Sequence, residues 1–244
     1  MKTFSVITCA HNEEKYIERS LQSVFNQAIK PRQVIVVLDR CTDKTSDIVR
    51  SYPVDFVVRK DEKKWKNSYA ESLEIGRRHV ESDYVAIADA DIVLPVNYFE
   101  EIMRNLDETV VCISGRAVTT FPSMLGRILK FKEQYYDRFV HLGEATRGCC
   151  MVIKADFLDS INGFKDVIAP DTYVTQAAKE SGLQTRLLSE TTVCHIRQPT
   201  VGKVIANQLN SGKARRRQRI SFWRTLLHSI FRLRPFVLLG YISG

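Results

Sequence analysis

Two carboxylates, Asp89 and Asp91, stand one residue apart where the apolar run Tyr84-Val-Ala-Ile-Ala88 ends. An unpaired carboxylate is costly to bury, so such a pair either reaches water at a strand mouth or meets a cation. Alternation along an extended chain would aim both side chains at one face. Two hard oxygen donors on one face suit Mg2+ or Mn2+, ions commonly shared with substrate phosphates. The plainer alternative, two solvated carboxylates capping a strand, is the commoner meaning of an isolated Asp-x-Asp, and the surrounding sequence has to decide.

The elements around the pair repeat one pattern. Phe4 to Ala10 reads as a buried strand followed by His11-Asn12-Glu13-Glu14, with Asn12 as the expected N-cap of a helix carrying Ile17, Leu21, Val24 and Phe25. Gln33 to Leu38 is a second apolar strand ending at Asp39, and Asp55 to Arg59 a third. A helix with Ala70, Leu73, Ile75 and Val80 on one side leads into the strand that ends at the carboxylate pair. Short apolar strands alternating with helices predict an α/β fold with a mainly parallel, doubly wound sheet flanked by helices. Ligands in such sheets sit outside the carboxyl ends of the strands, where Glu13, Asp39, Asp89 and Asp91 all fall. Four acids converging on one crevice describe a site. Further on, helices are expected over 98–106, 123–141 and 171–181, and strands over 110–118, 149–153 and 192–194.

The charge is unevenly placed. Of 36 Lys and Arg and 28 Asp and Glu, ten basic and no acidic residues lie between Thr191 and Gly244, so positions 1–190 carry a net −2 and the tail supplies the basic character. The six cysteines show no Cys-x-x-Cys spacing, which argues against a zinc or thioredoxin-type site. The N-terminus leads directly into a short strand, so a reducing cytosolic setting is expected.

Phe4-Ser-Val-Ile-Thr-Cys-Ala-His-Asn-Glu13-Glu, Val36-Val-Leu-Asp39 and Asp89-Ala-Asp91, in this order, resemble the opening strand, second strand and Asp-x-Asp motif of family 2 glycosyltransferases with the GT-A fold. Arg147-Gly148-Cys-Cys-Met-Val-Ile resembles the acceptor-side strand of that family, Ile161-Asn-Gly163-Phe164 its Gly-Phe turn, and Ala169-Pro-Asp171-Thr the segment bearing its catalytic Asp. The resemblance runs from residue 4 to about 200. It implies a GT-A domain over 1–200, with a nucleotide-sugar-binding half at 1–95 and an acceptor half at 96–200. Glu13 and Asp39 would contact the base and ribose of a UDP- or GDP-sugar, Asp89 would lie near ribose and metal, and Asp91 would bind the divalent cation, Mn2+ or Mg2+. Asp171 would be the general base toward an acceptor hydroxyl, implying inversion at the anomeric carbon. Arg147 and Gly148 would sit on the acceptor side. His195 is either a satisfied histidine at a strand end or a further metal ligand, as related enzymes often supply one near this point. Arg197 would pair with the diphosphate or be an exposed charge, and Lys66 is a candidate phosphate contact or a solvated lysine at a helix start. The chain departs from the family pattern at Cys9, His11, Arg40-Cys41 and Pro170-Asp171.

In 201–244, Arg215-Arg-Arg-Gln-Arg219 precedes apolar residues at 220, 223, 226, 227, 230 and 231 on one helical face. A cationic amphipathic helix with Trp and Phe on its apolar side is expected to lie in a membrane interface, so 213–243 would attach the protein peripherally to the cytoplasmic face of the cell membrane. The alternative is a helix docked on the protein itself. The uncharged 235–243 run is too short to span a bilayer, which takes about 20 residues. A lipid-linked or glycan acceptor would suit such a position, and no nucleic-acid recognition module is present. Three functions compete: an inverting metal-dependent transferase (or a retaining one with the same donor residues), a nucleotidyltransferase, and a non-catalytic nucleotide-sugar or lipid-binding module. A nucleotidyltransferase typically carries a Gly-rich basic loop after the first strand, and Cys9-Ala-His-Asn-Glu-Glu14 has none.

Overall fold

The computed structural model describes residues 2–119, 124, 126–128, 131, 146, 148–197, 200–217 and 220–244. They fall into two compact units, one within 1–118 and 144–197 and one within 119–143 and 198–244.

The first unit is built on a mixed eight-stranded sheet. Strands β1 (Phe4–Ala10), β2 (Gln33–Asp39), β3 (Phe56–Lys60) and β4 (Tyr84–Ile87) run parallel, linked by helices α1 (Ile17–Phe25), α2 (Thr45–Arg50) and α3 (Ser68–Arg77). After β5 (Ile92–Val93) and α4 (Tyr98–Arg104) come β6 (Val110–Thr119), a single 3-10 turn at Gly148–Cys150, β7 (Met151–Lys154), α5 (Ala155–Ser160), α6 (Pro170–Glu180) and β8 (Gln184–His195). The strand order is β3-β2-β1-β4-β7-β6-β8-β5, and the ladder turns antiparallel beyond β4, with β7 against β4 and β6, and β5 against β8.

The continuous apolar character of β1 and β2 has its cause in burial on both faces. Phe4, Val6, Val34 and Val36 point to one side, where they pack with Ile17, Leu21 and Val24 of α1. Ile7 and Ile35 point to the other, where they meet Leu73 of α3. Gly76 lets α3 settle onto the sheet, since a Cβ there would come 2.7 Å from Ile7 Cγ2. The Gly163 turn has φ +71°, which glycine adopts without steric cost, and it delivers Phe164 fully buried into the second cluster.

Several boundaries differ from expectation. Asn12 does not cap α1, which starts at Ile17 after Tyr16; it sits at φ 56° and its Oδ1 accepts from the Thr42 amide at 2.8 Å, tying the loop after β1 to the loop after β2. A short polar side chain that bonds locally suits this left-handed position. α3 stops at Arg77, before Val80. Asp89 and Asp91 are not extended: β4 ends at Ile87 and the Ile92 amide donates to Asp89 O, closing a turn around the pair. Of the helix expected over 123–141, the described positions 124, 126–128 and 131 are helical, and the remainder lies outside the described residues.

Among the described residues of 200–244, the second unit has helices α7 (Val201–Arg217), α8 (Phe222–Phe231) and α9 (Pro235–Ser243). Ser221 caps α8, its Oγ accepting from the Arg224 amide. No helix among the described residues is long and apolar enough to cross a membrane.

Candidate active site

The ends of β1, β2 and β4 open into a cavity of about 350 Å3 lined by Glu13, Asp39, Asp89 and Asp91 together with Arg40, Ser68, Tyr69 and Arg197. The convergence expected from the strand ends is therefore realised. Each acid is held differently.

Asp39, at the last residue of β2, accepts from Arg40 Nε at 2.8 Å and Ser68 Oγ at 2.6 Å, and Lys60 Nζ lies 3.3 Å away. Burial pushes its carboxyl upward, but these three partners outweigh it and leave the group below the usual carboxylate range. Lys60, with 4% of its side chain exposed, also donates to Ser68 O and to Ser72 Oγ and lies 3.2 Å from Glu71. Arg40 adopts φ 48° beside the cavity. His11 lines the opening too, with Nδ1 2.6 Å from Asp39 O.

Asp89 and Asp91 are pushed apart. Burial raises Asp89 to about 6, against the Tyr69 hydroxyl that donates to Oδ1 at 2.6 Å, and the Asp91 charge raises it further. Burial would also raise Asp91, but His195 and Arg197 bring it down to about 2. Arg197 Nε donates to Asp91 Oδ2 at 2.6 Å, its Nη2 donates to Glu13 Oε1, and its guanidinium lies 5.1 Å from the centre of the Tyr16 ring. One guanidinium thus bridges acids from two strand ends. The β5–β8 pairing brings it there, with Ile92 opposite His195 and the Ile196 amide donating to Asp91 O. The nearby Asp91 carboxylate comes first among the causes that raise His195 to about 10, ahead of a contact with Cys149 and against burial.

The donor set fits a divalent cation in part. His195 Nδ1 and Asp91 Oδ1 are 3.8 Å apart, between the cis (~3.0 Å) and trans (~4.2 Å) separations for two ligands of an octahedral ion with bonds of about 2.1 Å. No group of three or more His, Cys, Asp or Glu among the described residues could hold an ion unaided. An ion at Asp91 and His195 would need oxygens from a phosphate ligand, which is how Mg2+ is commonly bound.

Asp171 occupies the first turn of α6 and packs directly on Gly148, where an added Cβ would come 2.6 Å from its Oδ2. Its charge is one of those acting on Asp89. Lys66 is not in the cavity: its side chain is exposed and its amide donates to Asp166 Oδ2 at 2.9 Å. Arg147 lies outside the described residues. The Asn67 amide also donates to Asp166, and Asn67 Nδ2 donates to Val167 O at 2.6 Å, so the start of α3 is strapped to the segment leading into α6. Sequence reasoning missed Ser68, Tyr69, Ser72 and Lys60. A signal existed in the polar residues at 68, 69 and 72 around one turn after the Asn67 cap, which the search for apolar positions passed over.

Residues 5–158 match the model of the glycosyl transferase family 2. The chain belongs to that family. This family 2 member is 32% identical over 105 residues to an uncharacterized glycosyltransferase of Haemophilus influenzae, an alignment covering 43% of this chain and 32% of that protein. It is 37% identical over 94 residues to a 4,4'-diaponeurosporenoate glycosyltransferase of Staphylococcus aureus, covering 37% of this chain and 24% of that one. These alignments span no more than about a third of the length of either relative. Among solved structures, it is similar to the mannosyltransferase PcManGT from Pyrobaculum calidifontis in complex with GDP-Man and Mn2+, with TM-score 0.68, 21% identity, and 99% and 73% of the two chains covered. It is also similar to the Mycobacterium tuberculosis glucosyl-3-phosphoglycerate synthase in complex with Mn2+, UDP and phosphoglyceric acid, with TM-score 0.64, 16% identity, and 86% and 76% covered. At these identities the likeness establishes a GT-A α/β fold for the family 2 member.

Proposed function

We propose that this chain transfers a sugar from a nucleoside-diphosphate sugar to an acceptor hydroxyl or phosphate, with inversion at the anomeric carbon. The observation that carries this reading is the single cavity into which four strand-end acids and Arg197 converge. Glu13 and Asp39 present acceptor oxygens suited to the base and ribose of a UDP- or GDP-linked donor. Arg197, already forked between two carboxylates, is the cation able to turn toward a diphosphate.

Asp91 and His195 would hold a divalent cation, Mn2+ or Mg2+, with Asp89 beside it. When bound, that ion neutralises charge on the leaving diphosphate. Asp171 takes the proton from the acceptor hydroxyl, whose oxygen bonds to the anomeric carbon as the bond to the diphosphate oxygen breaks and the nucleotide leaves with the electron pair. Gly148 keeps the space that Asp171 fills. A lipid-linked acceptor is the class that suits the arginine-rich, apolar 201–244 unit.

The test is calorimetric titration of UDP and of GDP, each with Mn2+ and with EDTA, into the chain and into Asp91→Ala. Metal-dependent binding of one nucleotide, lost in the variant, is expected; no binding of either nucleotide under any condition overturns the donor site. Asp171→Asn should then keep donor affinity and lose turnover, whereas a pure binding module has no turnover to lose.

A further inference from the structure

Within the second unit, helix α8 is packed inside out. The buried positions of α8 are Thr225 and Ser229, one helical turn apart, while Trp223 (71% exposed), Leu227, Ile230 and Phe231 face outward. Water selects the opposite arrangement, apolar face inward. The contact between α7 and α9 is made by glycines: a Cβ on Gly212 would run into Val237 O, and one on Gly240 into Leu209 O. Small residues at the helix contact, hydroxyls within and large apolar side chains without describe helices packed in hydrocarbon, where burying apolar surface between helices gains little.

The backbone of α9 is satisfied from within the unit. Pro235 has no N–H to place, the Phe236 amide donates to Gln208 Oε1 at 3.2 Å, and Arg216 Nη1 donates to Tyr241 O at 3.1 Å and Ile242 O at 2.8 Å. Lipid imposes this requirement on a helix end, because it supplies no hydrogen bonds. α8 and α9, at ten and nine residues, are each about 15 Å long or less, half of a ~30 Å hydrocarbon core. They can lie in one leaflet but not cross. Arg224, Arg232 and Arg234 belong to a stretch without any acid from Thr191 onward, which complements anionic headgroups and no cationic partner.

We propose that the 201–244 unit docks on an anionic lipid surface, with α8 and α9 seated at the headgroup–acyl boundary and their arginines at headgroup level. This docking does not depend on which donor the first unit holds.

The experiment uses the full chain carrying Trp65→Phe, which leaves Trp223 as the one indole of the two. It is mixed with vesicles of phosphatidylglycerol and phosphatidylcholine, with pure phosphatidylcholine vesicles, and with both made from lipids brominated along the acyl chain. Co-flotation with the anionic vesicles, a blue shift of Trp223 and quenching by the brominated lipids are expected. Trp223→Glu or Leu227→Glu should lower partitioning about tenfold or more. Arg224→Gln and Arg232→Gln should each lower it about fivefold on anionic vesicles alone. Far-ultraviolet circular dichroism checks that each variant is folded. Absence of flotation with anionic vesicles, or a folded Trp223→Glu that partitions unchanged, overturns the proposal. So does a concentration-dependent dimer that shields Trp223 in solution without vesicle binding, which would assign the face to a second copy.

Discussion

Lys60 offers the sharpest test of how the cavity is held. It is buried between two buried carboxylates, 3.3 Å from Asp39 and 3.2 Å from Glu71, and donates to Ser68 and Ser72. Lys60→Met keeps the side chain's volume and removes its charge. Breaking a buried ion pair from one side costs about 3–5 kcal/mol, because the remaining charge is left without compensation. Asp39 keeps Arg40 and Ser68, and Glu71 keeps the Lys64 amide at 3.0 Å, which places the cost at the low end, about 3 kcal/mol. For a chain of this size that is a loss of about 6–12 °C in Tm, or roughly 1 M in the urea midpoint if m is near 3 kcal/mol/M. Urea unfolding followed by circular dichroism measures it. Adding Glu71→Gln to Lys60→Met removes one stranded charge and should restore at least about 1 kcal/mol. If Lys60→Met costs under about 1 kcal/mol, or Glu71→Gln worsens it, the lysine is not the counter-ion of this pair and the reasoning fails.

Three further outcomes are expected. Gly148→Ala should displace Asp171 and lower kcat about 100-fold while donor affinity in calorimetry stays within a factor of two or so, since a misplacement of about 1 Å is enough for such a loss; equal losses in both would place the defect elsewhere. Arg197→Ala should raise the donor KM about tenfold or more, and Arg197→Lys should not rescue it, because an ammonium lacks the fork that reaches Glu13 and Asp91 together; full rescue by lysine would reduce Arg197 to a point charge. Glu74 is buried, and although burial pushes its carboxyl up, Arg77, the Phe164 amide and Arg78 hold it below the usual range. A lowered folded pKa means stability that is complete above the unfolded value of about 4.3 and lost as pH falls through the folded one. Urea midpoints should therefore drop through this acid range, and Glu74→Gln should lower the midpoint at pH 7 and flatten the slope; an unchanged slope would remove Glu74 as its source.

The sheet and its mouth were legible because β2 and β4 are continuous apolar runs that stop abruptly at an acid. Val36-Val-Leu-Asp39 and Ala86-Ile-Ala-Asp89 state both burial and mouth. Tertiary partners were not legible. Asn12 has the composition of an N-cap, yet the Thr42 amide 30 residues away claims its carbonyl. Ser68, Tyr69 and Lys60 read as an ordinary helix start and a strand-end charge until the fold sets them against Asp39 and Asp89. The register that puts His195 opposite Ile92 likewise depends on two strands separated by a hundred residues, with no turn to fix it. In the tail, α8 carries the expected apolar stripe, but that it buries Thr225 and Ser229, and that α7 meets α9 at Gly212 and Gly240, shows only when the helices touch.

The strap from Asp166 to the Lys66 and Asn67 amides joins residues a hundred positions apart. On one side of it, Ser68 and Tyr69 touch Asp39 and Asp89; on the other, five residues on, stands Asp171. On the proposed function, donor and acceptor would press on opposite ends of one short mechanical member. By whatever factor an occupied donor pocket changes acceptor affinity through it, a bound acceptor must change donor affinity by the same factor. The order in which the two substrates arrive can set rates, but it cannot alter that exchange.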